Sequence, residues 1–160
     1  MEYKYFKPFK PTDVKIKELA SRLMNDYLYL SDEFRDWKII YKILFNNISN
    51  KKSNDFWEIG EFGGILGFTG ILEGWKCGVT LKFWDKKLWG TKFVREAREL
   101  IKEIMNKYNL KRISTSSPDE RIVKMAKLVR FKVEGRFKCG FKWNNKFYTL
   151  HMLRILKEEL

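Results

Sequence analysis

The sequence predicts a single mixed α/β domain over residues 1–160, built on a mostly antiparallel central sheet. Three observations carry that expectation. Between Phe56 and Trp84, three apolar-rich runs are separated only by Phe62-Gly63-Gly64 and Glu73-Gly74, the spacing of a β-meander. Directly afterwards Phe93, Ala97, Leu100, Ile101, Ile104, Met105 and Tyr108 recur at helical intervals, as a crossover helix requires. Near the end, Lys132 to Trp143 and Phe147 to Ile155 flank Asn144-Asn145, a two-residue hairpin signal.

Each element follows in order. Tyr3 to Phe9 reads as a short first strand. Pro11-Thr12-Asp13 starts a helix with Thr12 as N-cap, and Ile16, Leu19, Ala20, Leu23 and Met24 mark its buried face. Tyr27 to Leu30 is an aromatic link. Ser31-Asp32-Glu33 is read as the next helix start. Trp37, Ile40, Tyr41, Leu44, Phe45 and Ile48 then form an amphipathic stripe, and polar Asn46 to Asn54 a loop. Strands are expected at Phe56–Glu61, Ile65–Leu72 and Trp75–Trp84. A helix follows from Thr91 to Tyr108, closed near Asn109, a residue that tolerates a left-handed C-cap. Arg112 to Ser116 is a strand. In Ser117-Pro118-Asp119-Glu120, Ser117 is read as N-cap, Pro118 as the first helical residue and Glu120 as the capping-box partner, for a helix to about Val129. The predicted order is β, α, α, β, β, β, α, β, α, β, β.

Composition narrows the function. With 44% hydrophobic and 16% aromatic residues the chain buries a core and is not a disordered segment. No apolar run approaches the ~20 residues that span a bilayer. Met1 to Lys10 alternates charged and aromatic residues rather than carrying the apolar stretch of a secretory signal. A cytoplasmic protein with no membrane partner, monomeric or homodimeric, is expected. Cys77 and Cys139 match no zinc spacing and read as buried small side chains. His151 is the only histidine, so a His-pair catalyst or a multi-His metal centre is excluded, and no metal is expected. It reads as a strand residue with a satisfied ring. Lys and Arg number 33 against 20 Asp and Glu, a net charge of +13 that attracts nucleic acid, a ribosome surface, an acidic protein or a polyphosphate cofactor, and repels polycations. An AT-rich genome favouring Lys, Asn and Ile codons would give the same bias.

The most informative stretch is Val79 to Phe93, where a strand feeds a charged turn that opens a helix. The free amides of a first helical turn and the helix dipole favour an anion. Gly90 permits close approach, and Lys86, Lys87 and Lys92 add positive charge.

The element order and these residues resemble the GCN5-related N-acetyltransferase (GNAT) family. Lys87-Leu88-Trp89-Gly90-Thr91-Lys92 stands in the frame of that family's Arg/Gln-x-x-Gly-x-Gly/Ala loop. Leu88 to Ala97 is similar to the Trp-Gly-x-Gly-x-x-x-Glu-Ala run of the ribosomal-protein alanine N-acetyltransferase branch, and Phe131-Lys132-Val133-Glu134-Gly135-Arg136 resembles its Gly-Phe-x-x-Glu-Gly signature. Lys87 replaces the loop's first Arg or Gln, Lys92 its last small residue, and Arg130 the Gly before Phe131. The resemblance covers about Phe56 to Ile155.

The resemblance implies helices on both faces of the sheet and direct attack of an amine on the thioester of acetyl-CoA. It implies a pyrophosphate on the amides of Leu88, Trp89, Gly90, Thr91 and Lys92, with Lys87 alongside, and a pantetheine arm along Leu81 to Phe83. It also implies a catalytic carboxylate early on the fourth strand, but Trp75 to Gly78 contains none. Glu73 is the nearest and is taken as the candidate general base, ahead of Glu58 and Glu61. The family's acidic Tyr maps to Met125-Ala126 and is missing; Ser116 or Ser117 could hold a water or a pantetheine amide. Tyr27 and Tyr29 are expected to line the acceptor groove. The function expected is acetyl transfer from acetyl-CoA to an amine, of a protein or peptide. The alternative is a non-catalytic module of this fold that binds nucleic acid or a protein partner, and a third reading is acylation of a nucleobase amine.

Overall fold

The computed structural model describes residues 3–26 and 31–160. Among these, a seven-stranded sheet runs in the order β1-β2-β3-β4-β5-β7-β6. Its strands are β1 (Phe6–Pro8), β2 (Asn54–Ile59), β3 (Gly64–Leu72), β4 (Lys76–Phe83), β5 (Arg112–Ser117), β6 (Lys132–Trp143) and β7 (Lys146–Leu156). The helices are α1 (Asp13–Met24), α2 (Trp37–Ser49), α3 (Thr91–Lys107) and α4 (Glu120–Leu128). The predicted order holds. Every neighbouring pair is antiparallel except β4 and β5, which are parallel because α3 carries the chain back across the sheet. None of the described helices is long and apolar enough to cross a membrane.

Strand alternation sends successive side chains to opposite faces. Trp57, Ile59, Phe68, Cys77, Val79, Ile113, Leu153 and Ile155 pack with Phe93, Ala97, Leu100 and Ile104 of α3 and Val123 of α4. On the other face, Phe9, Phe62 and Ile65 pack with Ile16, Leu19 and Leu23 of α1 and Ile48 of α2. Helices therefore cover both faces, and the residues between them (Gly78, Thr80 and Lys82 on β4) point to the α1–α2 face.

Several local expectations are corrected by tertiary contacts. The first strand is only Phe6–Pro8, because Tyr3 Oη donates to Glu103 (2.6 Å) and the Tyr5 amide to Glu96 (2.9 Å), tying 3–5 to α3. Thr12 does cap α1, accepting from the Lys15 amide at 3.2 Å. Ser31 does not start α2: Asp32–Phe34 is a 3₁₀ turn, and Asp36 caps α2 by accepting from the Lys38 and Ile39 amides at 2.8 and 3.0 Å. Ser117 is not the cap of α4. The β5 ladder continues to Ser117↔His151, so Asp119 takes the N-cap, accepting from the Arg121 amide at 2.9 Å, with Pro118 just before it. Cys77 is buried and its thiol is pushed up to about 12 by burial, but Cys139 is exposed, on a β6 residue with φ 56°. His151 is buried with one nitrogen satisfied: Nε2 lies 2.9 Å from Glu120, while Nδ1 has no protein partner.

Candidate active site

The ladder between β4 and β5 joins Lys76↔Arg112, Cys77↔Ile113 and Gly78↔Ser114 and then ends. Both strands continue, each held by its outer neighbour, with β3 paired to β4 as far as Gly64↔Phe83 and β7 to β5 as far as Ser117↔His151. The centre of the sheet therefore opens into a wedge. A cleft of about 300 Å³ fills it. Val79, Leu81, Phe93 and Ala97 form its floor, and Ile122, Met125 and Ala126 of α4 its opposite wall.

At the open end the chain leaves β4 through a 3₁₀ turn, Lys86–Leu88, and enters α3. The turn is pinned. Trp84 and Asp85 amides donate to Gly63 O at 2.8 and 3.0 Å, and the Asp85 carboxylate accepts from the Lys87 amide at 2.9 Å. Leu88 seats over Gly60 and Gly63, where a Cβ would come within 2.6 and 2.8 Å of its Cδ1. Phe83, Trp89 and Phe93 pack edge-on and tilted against one another behind it, with centroids 5.1 to 5.9 Å apart. Gly90 is the residue before α3 and gives no side-chain cap; Val94 is the first amide to bond back, to Gly90 O at 3.0 Å. The first-turn amides of Thr91, Lys92 and Phe93 thus have no intrahelical acceptor. Gly90 has φ 178°, an ordinary extended value, and a Cβ there would meet nothing within 4 Å. Neither backbone nor packing explains the glycine; the space over it is open to a ligand.

Two of the described lining residues are charged, Lys82 and Asp119. Lys82 is buried on the α1–α2 side of β4, its Nζ 2.8 Å from Asp26, just beyond α1. Burial works against the Asp119 charge, but hydrogen bonds from the Arg121 guanidinium and amide outweigh it, and its carboxyl is held below the usual range. Asp32 accepts from the Asn144 and Asn145 amides at 2.8 and 3.0 Å, and Arg35 donates to Asn144 Oδ1 at 2.7 Å. The start of the 3₁₀ turn before α2 is thereby clasped to the tip of the β6–β7 hairpin.

No protein-family model and no curated protein matches the sequence. Solved structures do match in shape. An acetyltransferase of the GNAT family from Bacillus anthracis superposes with TM-score 0.71 at 15% identity, over 99% of this chain and 99% of that one. A ribosomal-protein-S5-alanine acetyltransferase from Vibrio fischeri gives TM-score 0.70 at 14% identity, covering 99% and 97%. A spermidine N-acetyltransferase from Vibrio cholerae, in complex with CoA and spermine, gives 0.69 at 13%, covering 96% and 95%. The chain has the GNAT fold.

Within the GNAT fold, the residues named from sequence fall in different places. Leu81 and Trp89 line the cleft. Gly90, Thr91 and Lys92 sit at the α3 start beside it, and Lys87 is exposed on the turn. The side chains of Leu88 and Phe83 serve packing, Leu88 as the anchor of the turn and Phe83 behind Trp89. Glu73 is a correction. It lies exposed in the β3–β4 turn, at the end of β4 that is paired to β5, while the wedge opens at the other end. From Lys76 to Leu81 alone is roughly 17 Å of strand, so Glu73 does not reach the cleft. Glu58 is tied to Lys15 at 2.6 Å, and Glu61 is exposed in the β2–β3 turn. Ser116 and Ser117 both line the cleft, and Met125 and Ala126 do face it without a hydroxyl. Tyr27 and Tyr29 lie outside the described residues. Sequence reading missed Thr80, Lys82, Asp26 and Asp119. A lysine between Leu81 and Phe83, in a run of alternating apolar residues, is the one signal that pointed to Lys82.

Proposed function

We propose that the protein is an acyl-CoA-dependent N-acetyltransferase that uses acetyl-CoA to acetylate a primary amine of a protein or peptide. The observation that carries this is the wedge between β4 and β5, ending at a helix start whose Gly90 is open to solvent. The donor would lie with its pyrophosphate on the amides from Leu88 to Lys92, its charge met by Lys87 and Lys92, and its arm against Leu81 and the apolar α4 wall. Backbone amides of β4 beyond the last β5 pair supply hydrogen bonds to a thioester carbonyl. Glu73 is withdrawn as the base. With Met125 and Ala126 at the wall, proton transfer falls to water. A protein or peptide acceptor is favoured over a polyamine, because Asp26, Asp32 and Asp119 are each already bonded to Lys82, hairpin amides or Arg121. The positive net charge acts in the same direction.

The test is calorimetric titration with coenzyme A of wild type and of Gly90→Asp. A Cβ at this position meets nothing within 4 Å, so the melting temperature should hold. A carboxylate in the phosphate path should weaken binding about tenfold or more. Equal affinities would move the site elsewhere. A second reading, a non-catalytic module of the same fold, is favoured by the apolar α4 wall. Tight coenzyme A binding with no acetyl transfer to any peptide would select it.

A further inference from the structure

We infer that the acceptor carries a branched or aromatic apolar group beside its amine, held in a second cavity under α2. The inference rests on the acetyltransferase reading for the site and adds the chemistry of its substrate.

This cavity, about 220 Å³, lies on the α1–α2 face of the sheet. Leu23, Ile40, Ile43 and Leu44 form its helical wall, and Phe34 its rim. Phe56 is its floor. The Phe56 ring lies flat over Gly67, where a Cβ would come within 2.5 Å of the ring. A side chain at residue 67 would push the ring up into the space, so the glycine keeps the cavity open. Protein interiors leave few voids larger than a water molecule, and this one is large enough for a leucine or phenylalanine side chain. Phe34 and Ile43 are 48% and 46% exposed although they line it, so the cavity has a wet, apolar mouth.

Its position gives the occupant. Thr80 lines both this cavity and the donor cleft. One strand residue separates them, at the place where β4 has lost its β5 partner. An amine reaching the thioester past Thr80 leaves its neighbouring group in the cavity. None of the described lining residues is charged; the polar ones are Asn47, Thr69 and Thr80. An ammonium chain such as a polyamine finds no counter-charge here, whereas an apolar group loses water. Desolvation also favours the neutral amine, the form that attacks. The transfer forms a C–N bond at the carbonyl carbon and breaks the C–S bond; the nitrogen gives up one proton and the leaving sulfur gains one.

The amides of Leu-Gly, Phe-Gly and Gly-Gly, together with spermidine and 2-phenylethylamine, are titrated by calorimetry with and without coenzyme A. Leu-Gly and Phe-Gly should bind about tenfold to a hundredfold more tightly than Gly-Gly, the range for burying such a side chain. Ile43→Lys, on the helical wall where it is partly exposed at the mouth, should shrink that preference to about threefold or less. Gly67→Ala should do the same by raising the Phe56 ring. Phenylethylamine matching Phe-Gly assigns free amines as the source, and weaker binding assigns peptide ends; both keep the apolar requirement. Equal affinities for the three peptides, or spermidine binding tightest, would overturn the inference while leaving the acetyltransferase reading intact. Absence of coenzyme A binding would overturn the acetyltransferase reading and, with it, the assignment of the cavity to an acceptor.

Discussion

At the scale of the residue, the least expected side chain is Lys82. A lysine one residue from the end of β4 is held 9% exposed against Asp26, itself 20% exposed. Removing one partner of a buried pair leaves the other charge stranded, which costs about 3–5 kcal/mol. Lys82→Met should therefore lower stability by about that much in urea denaturation, and adding Asp26→Leu should restore most of it. If the single variant costs under about 1 kcal/mol, the pair is solvated and the geometry is wrong. Asp119 offers a second measurement. As the N-cap of α4 its replacement by Ala should cost about 1 kcal/mol, whereas Ser117→Ala should cost less. The sign with pH is set by the depressed carboxyl of Asp119. Its stabilisation is present above the unfolded-state value of about 3.9 and is lost as pH falls through the lower folded value. Asp119→Ala should therefore flatten the acid limb of the stability curve. These residues explain what the sequence withheld. The strand–turn–helix unit was legible because Val79 to Phe93 is contiguous. Lys82, Asp26 and Asp119 meet only after three separate segments have folded. Ser117 was misread because local capping chemistry says nothing of a ladder that runs one residue further.

At the scale of the element, legibility followed periodicity. The buried stripe of α3 (Phe93, Ala97, Leu100, Ile101, Ile104 and Met105) is the one its spacing predicted. The Asn144-Asn145 turn has φ of 48° and 58° at its two central residues, the left-handed pair that asparagine tolerates in a two-residue hairpin. No pattern predicted that this turn would be grasped by Asp32, since the partner lies 112 residues away. The amides of Asn145 and, less strongly, Asn144 bond to the Asp32 carboxylate and hold its pKa below the ordinary carboxylate range. The clasp should hold at neutral pH, stay closed through about pH 4, and open only as the pH falls through the depressed folded value. Amide chemical shifts of Asn144 and Asn145 followed through an acid titration read it directly. Shifts that move at an unperturbed aspartate value, or in Asp32→Asn as in wild type, would show that the clasp does not form.

At the scale of the whole molecule, the wedge, the turn that opens α3 and the apolar cavity are arranged around one strand, β4. Its two neighbours differ: β3 follows it along its length, whereas β5 abandons it after Gly78. The net charge of +13 remains a separate property, and its role is measurable. If the charge serves nucleic acid, affinity for an arbitrary oligonucleotide should fall steeply between low and moderate salt, with a log–log slope that counts the phosphates contacted. A flat response would leave codon bias as its origin. The clasp between Asp32 and the hairpin tip has a consequence in time. The peptide chain elongates from one end, and contacts of long sequence separation form late because closing their loops is entropically slow. The helices α1 and α2 can collapse on β2 and β3 early, but the side of the molecule that Asp32 fastens stays ajar until residues 144 and 145 arrive. The cleft between β4 and β5 waits as well, since β5 is positioned by β7. The half of the fold that holds the β4–β5 wedge is thus assembled last, and a nascent chain is a scaffold before it has a cleft.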